Sequence, residues 1–174
     1  MGAELDPEPL QNGMSADSDT MDRKDCAEPD TPRQNITYQG TGWQALVYQS
    51  LKEPSDPLHL ARVVDQVVVN FPTADLASDF VNNQKTQWAG CSNARFTVME
   101  ADTPTLTSLS SFHDSDGILS ITATPQGAEG WACGRALTVR NNIVVDVAAC
   151  DHEKQETEAI AIAKQIAEKV GLVE

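Results

Sequence analysis

Four cysteines are the side chains of this sequence best suited to covalent chemistry: Cys26, Cys91, Cys133 and Cys150. They include no Cys-x-x-Cys pair, so neither a zinc site nor a dithiol redox motif is predicted. All four look structural, and a cysteine nucleophile is therefore not expected. An even number of such cysteines is typical of disulfide bonds, which indicate an oxidising compartment outside the cytoplasm.

The last two cysteines flank a predicted β-hairpin. Two runs rich in β-branched residues, "RALTVR" and "IVVDVAA", are separated by Asn141-Asn142, which can form a two-residue type I′ turn because Asn tolerates positive φ. That turn sets Cys133 opposite Cys150 in a non-hydrogen-bonded pair, whose Cα atoms lie about 4.5 Å apart, within disulfide range. The alternative is a reduced, buried pair. If these two cysteines are bonded, the first two are the only remaining pair.

The same register predicts a polar pair on the hairpin. Arg135 lies opposite Ala148 and diagonal to Asp146, at about 7–8 Å, a distance that an arginine side chain can span. We expect a surface ion pair worth roughly 0–1 kcal/mol. The functional alternative is a polar spot lining a cleft beside the disulfide. The other face of the hairpin is apolar and is the predicted core face, with Ile143, Val145, Val147, Ala136 and Ala149.

The three tryptophans divide into two groups. Trp88 lies on the apolar face of a predicted helix and is expected in the core. Trp43 and Trp131 each follow a glycine near the end of a predicted strand. An aromatic ring with one polar edge suits a cleft wall, so these two residues are candidate ligand-binding residues together with Arg135 and Asp146.

The sequence offers no residues for catalysis, a metal or a cofactor. His59, His113 and His152 are scattered through predicted loops, whereas a zinc site would need several of them to converge with acidic partners. The stretch "DSDG" is similar to the start of a calcium loop, but Gln126 and Gly127 stand where the closing Glu belongs. Nucleophile elbows, phosphate-binding glycine loops and zinc-protease helices are also missing from the sequence. We therefore expect a non-catalytic protein without a cofactor.

The charge of the chain limits its partners. The net charge of −14 argues against nucleic acid and against anionic membrane surfaces. No apolar run reaches 18 residues, and the acidic stretch 1–9 lacks the apolar core of a secretory signal, so we expect membrane attachment only through an anchor outside this sequence. Residues 1–32 carry nine acidic and two basic residues. We predict an acidic, mobile segment over 1–24 and a single domain over 25–174.

The periodicity of apolar residues predicts strands, two long helices and an α+β fold. A helix is expected to begin at Thr73 as N-cap, with Leu76, Ala77, Phe80, Val81, Gln84 and Trp88 on its apolar face. A second helix covers 153–171 and ends at Gly171. Predicted strands cover 36–51 (as strand, turn, strand), 62–71, 95–100, 105–112 and 118–124, with a turn at 113–117. We expect one curved antiparallel sheet with the two helices packed on it.

Several stretches together are similar to a known family. They are Asp25-Cys26, "YQGTGW" (38–43), "VVVNFPTADLASDFV" (67–81), "QWAGC" (87–91), "GWACGRALTVRNNIVVDVAAC" (130–150) and the final helix. Over roughly residues 20–171 the chain resembles the PknH-like extracellular sensor domain of mycobacterial receptor serine/threonine kinases and related exported lipoproteins. The resemblance implies an α+β domain outside the membrane, disulfides 26–91 and 133–150, and a cleft for an unidentified ligand. It implies no enzymatic activity.

We therefore expect an extracytoplasmic sensor domain of the mycobacterial cell envelope. Its cleft would bind a small molecule, a lipid or a cell-wall fragment, and occupancy would be reported by dimerisation or by contact with a protein partner. The alternative is an envelope scaffold lipoprotein without a small-molecule site. A flat apolar patch would favour the scaffold, and a closed concave pocket would favour the ligand.

Overall fold

The computed structural model of the protein describes residues 4–54, 62–153 and 155–171. The strands are β1 (Asp6–Pro7), β2 (Ala45–Lys52), β3 (Val63–Asn70), β4 (Arg95–Glu100), β5 (Thr103–Leu109), β6 (His113–Ser115), β7 (Ile118–Pro125), β8 (Ala132–Arg140) and β9 (Ile143–Asp151). The helices are α1 (Ala27–Asp30), α2 (Asn35–Tyr38), α3 (Ala74–Gly90) and α4 (Gln155–Val170), with 3-10 turns at Asp17–Thr20 and Lys24–Cys26. This confirms the predicted α+β class.

The strands form one antiparallel sheet in the order β1-β2-β3-β9-β8-β7-β5-β4, with β6 paired to β7. The two long helices cover opposite faces of this sheet. On β9, Val144 belongs to the core beneath α3, whereas its neighbour Val145 packs with Ala159 and Ala163 of α4. The predicted core face of the hairpin is the face under α4. The opposite face is equally buried, which corrects the expectation that it meets solvent.

The β8–β9 hairpin has the predicted register, with Cys133 opposite Cys150 and Arg140 opposite Ile143. Both disulfides are present, and the Cys133 and Cys150 Cα atoms lie 4.0 Å apart. The turn differs from the predicted type I′, because φ is positive at Asn141 (55°) but not at the next residue. Tertiary contacts hold Asn142 in that conformation, since its carbonyl accepts from Phe71 N–H at 2.9 Å.

Helix α3 begins as predicted. The Thr73 hydroxyl accepts a hydrogen bond from Leu76 N–H at 3.2 Å, so Thr73 is the N-cap. The predicted apolar face is buried at Ala77, Phe80, Val81, Gln84 and Trp88. Leu76 is the exception, with 40% of its surface exposed.

Helix α4 lies close against the centre of the sheet. A Cβ on Gly134 would lie 2.2 Å from the backbone of Gln155 and Glu156, so only glycine permits this approach. The Glu156 carboxylate accepts hydrogen bonds from Ser120 Oγ at 2.7 Å and Thr122 Oγ1 at 3.1 Å. The first turn of α4 is therefore fixed to β7 and β8 by both packing and hydrogen bonds.

Two predicted elements differ from the structure. Residues 36–38 were predicted as a strand because they are β-branched and aromatic, but they lie in the short helix α2, where the Tyr38 ring is fully buried against Phe80 at a centroid distance of 4.4 Å. The strand predicted for 105–112 ends at Leu109, and part of the predicted turn 113–117 forms β6. The stretch "EPSDPLH" (53–59), whose two prolines predict a break between strands, lies largely outside the described residues.

Residues 4–24 follow the surface of the domain. Strand β1 pairs with the edge of β2, Ser15 bridges to Gln34, and Met21 bridges to Val98 of β4 with 6% of its surface exposed. The boundary between a mobile segment 1–24 and a domain 25–174 stays a prediction. The contacts described here cross that boundary.

The described residues contain one group of potential metal ligands within 4.8 Å of one another, namely Asp25, Cys26 and Cys91. Both of these cysteines are used in the disulfide. His113 and His152 are exposed, and His59 lies outside the described residues. Across the described parts of the chain, no helix has both the length and the apolar character needed to cross a membrane.

Candidate functional site

The short helix α1 is fixed at the centre of the candidate site. The Cys26–Cys91 disulfide joins the residue before α1 to the end of α3, with the Cα atoms 5.7 Å apart. The two acidic residues of α1 have different surroundings. Glu28 is buried with 1% exposed surface, whereas Asp30 is partly buried and lines a cavity.

Glu28, Arg135 and Asp146 form a buried charge cluster, called the Arg135 cluster below. The exposed surface of Arg135 and Asp146 is 0%. Arg135 NH2 donates to Asp146 Oδ1 at 2.8 Å and to the Glu28 carbonyl at 2.9 Å, and NH1 donates to the Val147 carbonyl at 2.7 Å. The Trp88 ring lies over the guanidinium, with its centroid 5.6 Å from Cζ. This cluster ties β8 and β9 to α1 and α3.

The two carboxylates of the cluster are held differently. Asp146 Oδ2 accepts from the Arg33 backbone N–H at 3.1 Å, so both of its oxygens have donors. Glu28 Oε2 accepts from Gln34 N–H at 3.0 Å, but Oε1 lies 3.7 Å from Arg135 NH2 and has no hydrogen-bond donor. Burial and the charge of Asp146 raise the pKa of Glu28 well above its ordinary value.

Further polar atoms in this region are buried without a hydrogen-bond partner. Among the described residues these include the Tyr38 hydroxyl, Arg135 Nε and Trp88 Nε1. Each such group costs about 1–3 kcal/mol, so the chain sustains an unfavourable polar interior here. Residues in such settings are functional candidates, because stability alone does not select them.

A cavity of about 410 Å³ opens beside the Arg135 cluster and is called the Trp131 cleft. One wall comes from the segment 17–31, and the other comes from strands β4, β5, β7 and β8. Its lining includes Asp17, Met21, Asp30, Thr31, Met99, Glu100, Thr107, Trp131 and Cys133. The Cys133–Cys150 disulfide therefore forms part of the cavity wall, on the face of the hairpin that carries Arg135.

Two carboxylates of the Trp131 cleft act on a third, Asp30. Burial raises the pKa of Asp30 to about 6, and the charges of Asp17 and Glu100 add to the rise. Asp17 Oδ2 accepts a hydrogen bond from Gln34 Nε2 at 3.1 Å. The described lining contains no Lys, Arg or His, so its charged side chains are all acidic, although the charge of the buried Arg135 also reaches Asp30 and lowers its pKa.

A larger groove of about 790 Å³ lies between α4 and the ends of β6 and β8. Its floor is apolar, with Ile118, Val139 and Ile160, and its rim carries charges of both signs, including Arg140 and Lys164. Neither the disulfides nor the residues predicted for ligand binding line this groove. The Trp131 cleft is therefore the better candidate site.

The structure separates the four residues predicted for ligand binding. Trp131 lines the Trp131 cleft, whereas Trp43 is partly buried against the core at the start of β2. Arg135 and Asp146 meet as the register predicts, but they form a fully buried pair, which corrects the expected surface ion pair. Sequence reasoning missed Glu28 and Asp30, although their proximity to Cys26 was a usable signal.

Known proteins resemble this chain in both sequence and fold. Residues 2–169 match the model of the PknH-like extracellular domain. The chain belongs to this family. It is 34% identical over 158 residues to the serine/threonine-protein kinase PknH of Mycobacterium bovis, an alignment that covers 91% of this chain and 26% of the kinase. The kinase PknH of Mycobacterium tuberculosis gives the same identity, with 91% of this chain and 25% of the kinase covered.

The solved structure of the extracellular domain of PknH from Mycobacterium tuberculosis is similar over almost the whole chain. The TM-score is 0.89 at 32% sequence identity, with 97% of this chain and 86% of that chain covered. The chain spans about a quarter of the length of the kinases that it matches. As a PknH-like extracellular domain with two disulfides, the protein is an extracytoplasmic sensor domain.

Proposed function

We propose that this domain is a non-catalytic sensor that binds a small, positively charged ligand in the Trp131 cleft. The observation that carries this proposal is a cavity of about 410 Å³ lined by three carboxylates and a tryptophan, with no basic side chain in its described lining. Its volume falls in the range of about 300–1,000 Å³ that is typical of small-molecule sites.

The charge of the lining favours an amine or another organic cation. The charges of Asp17 and Glu100 act unfavourably on an ionised Asp30, and a cation beside these carboxylates relieves that repulsion. Trp131 supplies an aromatic wall, and tryptophan is the side chain that binds cations best through its ring face. The net charge of −14 adds a long-range attraction for such ligands.

The walls of the cleft suggest how occupancy is reported. Asp17 and Asp30 belong to the N-terminal segment, and Glu100 belongs to β4. A cation held by both walls draws them together and stabilises their contact. Binding therefore increases the population of the arrangement in which the N-terminal segment lies against β4. A protein partner or a second copy of the domain can recognise this arrangement.

Native mass spectrometry after incubation with a mycobacterial envelope extract tests the proposal. The unmodified domain is expected to show a discrete added mass that denaturing spray removes. Trp131→Ala is expected to lose at least nine tenths of that adduct, and binding is expected to weaken below about pH 6 as Asp30 becomes protonated.

Lys164→Ala is the matched control, because Lys164 lines the larger groove and not the Trp131 cleft. It is expected to keep the adduct. An adduct lost in Lys164→Ala but kept in Trp131→Ala would move the site to the larger groove. A domain that stays free of any added mass would contradict a small-molecule sensor and favour a protein-binding scaffold.

A further inference from the structure

The Arg135 cluster places two carboxylates against a single cation in the interior. Glu28 and Asp146 have 1% and 0% exposed surface, and both face the NH2 nitrogen of Arg135. If both carboxylates are ionised, the cluster holds one uncompensated negative charge away from water. Burial of an unpaired charge is costly, so a retained proton is the favourable alternative.

The described elements around Glu28 supply one cation and several uncharged or acidic groups. Strand β8 supplies Arg135, β9 supplies Asp146, and α2 supplies the uncharged Tyr38 hydroxyl. Helix α3 places the uncharged Trp88 ring against Arg135, and Asp30 of α1 is another acid, on which the charge of Arg135 also acts. The Arg33 guanidinium lies elsewhere, because it donates to the Gly13 carbonyl at 2.6 Å and lies over the Tyr48 ring. Among the described residues, Arg135 is therefore the cation that pairs with both carboxylates.

The hydrogen bonds assign the proton to Glu28. Asp146 has two donors at 2.8 and 3.1 Å, which suit an ionised carboxylate. Glu28 Oε1 has none, and a protonated Glu28 can donate to Asp146. Burial and the charge of Asp146 also favour the neutral form of Glu28.

We infer that Glu28 and Asp146 share one proton and that its loss loosens the docking of residues 27–38 on the β8–β9 hairpin. Two of the ties between segment and hairpin depend on this charge balance. Arg135 donates to the Glu28 carbonyl at 2.9 Å, and Asp146 accepts from Arg33 N–H at 3.1 Å. A second negative charge on Glu28 competes for the Arg135 NH2 group and repels Asp146, so it weakens the tie through Arg135 and opposes the docking of α1 on the hairpin. The inference goes beyond the proposed function and does not depend on any ligand.

The sign of the pH effect follows from linkage. The pKa of Glu28 is higher in the folded than in the unfolded chain, so the folded state keeps a proton that the unfolded state releases. This contribution to stability is fully present below the ordinary Glu pKa of about 4.5 and is lost as the pH rises through the folded-state pKa. Between the two values the ratio of folded to unfolded protein falls about tenfold per pH unit.

Urea unfolding of the full chain between pH 4 and 8 tests the inference with Glu28→Gln. A Gln side chain can donate to Asp146 and accept from Gln34 N–H, so it imitates the protonated form. The variant is expected to match the unmodified chain at pH 4 and to exceed it increasingly as the pH rises. Glu168→Gln, at an exposed position of α4, is the control and is expected to keep the original pH dependence.

A second measurement does not require a variant to fold. Carboxyl ¹³C NMR of the unmodified chain is expected to show Glu28 titrating above its ordinary range, with amide exchange at Arg33 and Gln34 accelerating over the same pH interval. A Glu28 carboxyl that titrates at or below about pH 4.5, or Glu28→Gln with an unchanged pH dependence, would overturn the inference.

Discussion

Arg135 is the residue on whose charge the interior of the protein depends. Its guanidinium donates to Asp146 and to two backbone carbonyls, and it lies against the Trp88 ring. The Arg135 side chain has no exposed surface. Such an ion pair adds little net stability when both partners are present, because desolvation offsets the attraction. Removal of one partner is different, since the other charge then stays buried without compensation.

Arg135→Ala is therefore expected to destabilise the domain by about 3–5 kcal/mol, measured by urea unfolding at pH 7. The matched control is Arg23→Ala, which breaks the exposed Arg23–Asp25 ion pair, whose side chains are 39% and 57% exposed. That change is expected to cost less than about 1 kcal/mol. Equal losses in the two variants would show that the Arg135 cluster is no more important than a surface pair.

The position of Arg135 relative to Asp146 could be predicted from the sequence, but its burial could not. Strand register follows from a two-residue loop and period-two alternation, so diagonal neighbours are fixed by numbering alone. Burial of this pair depends on α1 and α2, which are more than 90 residues away along the chain. The cleft could not be predicted for a similar reason, because its carboxylates come from the N-terminal segment and from β4, which are far apart in the sequence.

The approach of α4 to the sheet is the feature that matters at the scale of elements. Ala159 and Ala163 face the sheet, and Gly134 removes the last side chain between strand and helix. The apolar period of α4 was evident in the sequence, whereas the choice of sheet face was not. Local sequence patterns predict where helices and strands form, whereas tertiary packing decides which faces they bury. Packing also overrode the local pattern at residues 36–38, which were predicted as a strand and lie in α2.

Gly134→Ala is expected to destabilise the domain by roughly 2–4 kcal/mol, because the added methyl meets rigid backbone at the start of α4. Thermal unfolding followed by circular dichroism measures the loss. Gly90→Ala, at the exposed end of α3 with no atom within 4 Å of the added Cβ, is the control and is expected to be neutral. A neutral Gly134→Ala would mean that α4 does not lie against β8 as described.

At the scale of the whole molecule, the two disulfides close loops of very different length. Cys133–Cys150 spans 17 residues inside one hairpin, whereas Cys26–Cys91 spans 65 residues and joins the N-terminal segment to α3. A disulfide stabilises the fold by constraining the unfolded chain, and this effect increases with loop length. The expected stabilisation is about 3 kcal/mol for the shorter loop and about 4 kcal/mol for the longer loop. The longer bond also holds the wall of the Trp131 cleft.

The double variant Cys26→Ala/Cys91→Ala is expected to lower the melting temperature more than Cys133→Ala/Cys150→Ala, as measured by scanning calorimetry. It is also expected to expose the segment 17–38 to limited proteolysis, which the hairpin variant should leave protected. If the hairpin variant melted lower, or if both resisted protease equally, the segment would be held by contacts other than its disulfide.

The order of the bonded cysteines has a consequence for how the chain matures. The first cysteine bonds to the second and the third to the fourth. A polypeptide delivered through an export channel with its N-terminus leading presents Cys26 and Cys91 to the oxidant while the hairpin is still inside. Each cysteine thus meets its native partner first, so maturation needs an oxidant but little bond shuffling. Strand β9, which lies between β3 and β8, then arrives last and joins the two halves of the sheet.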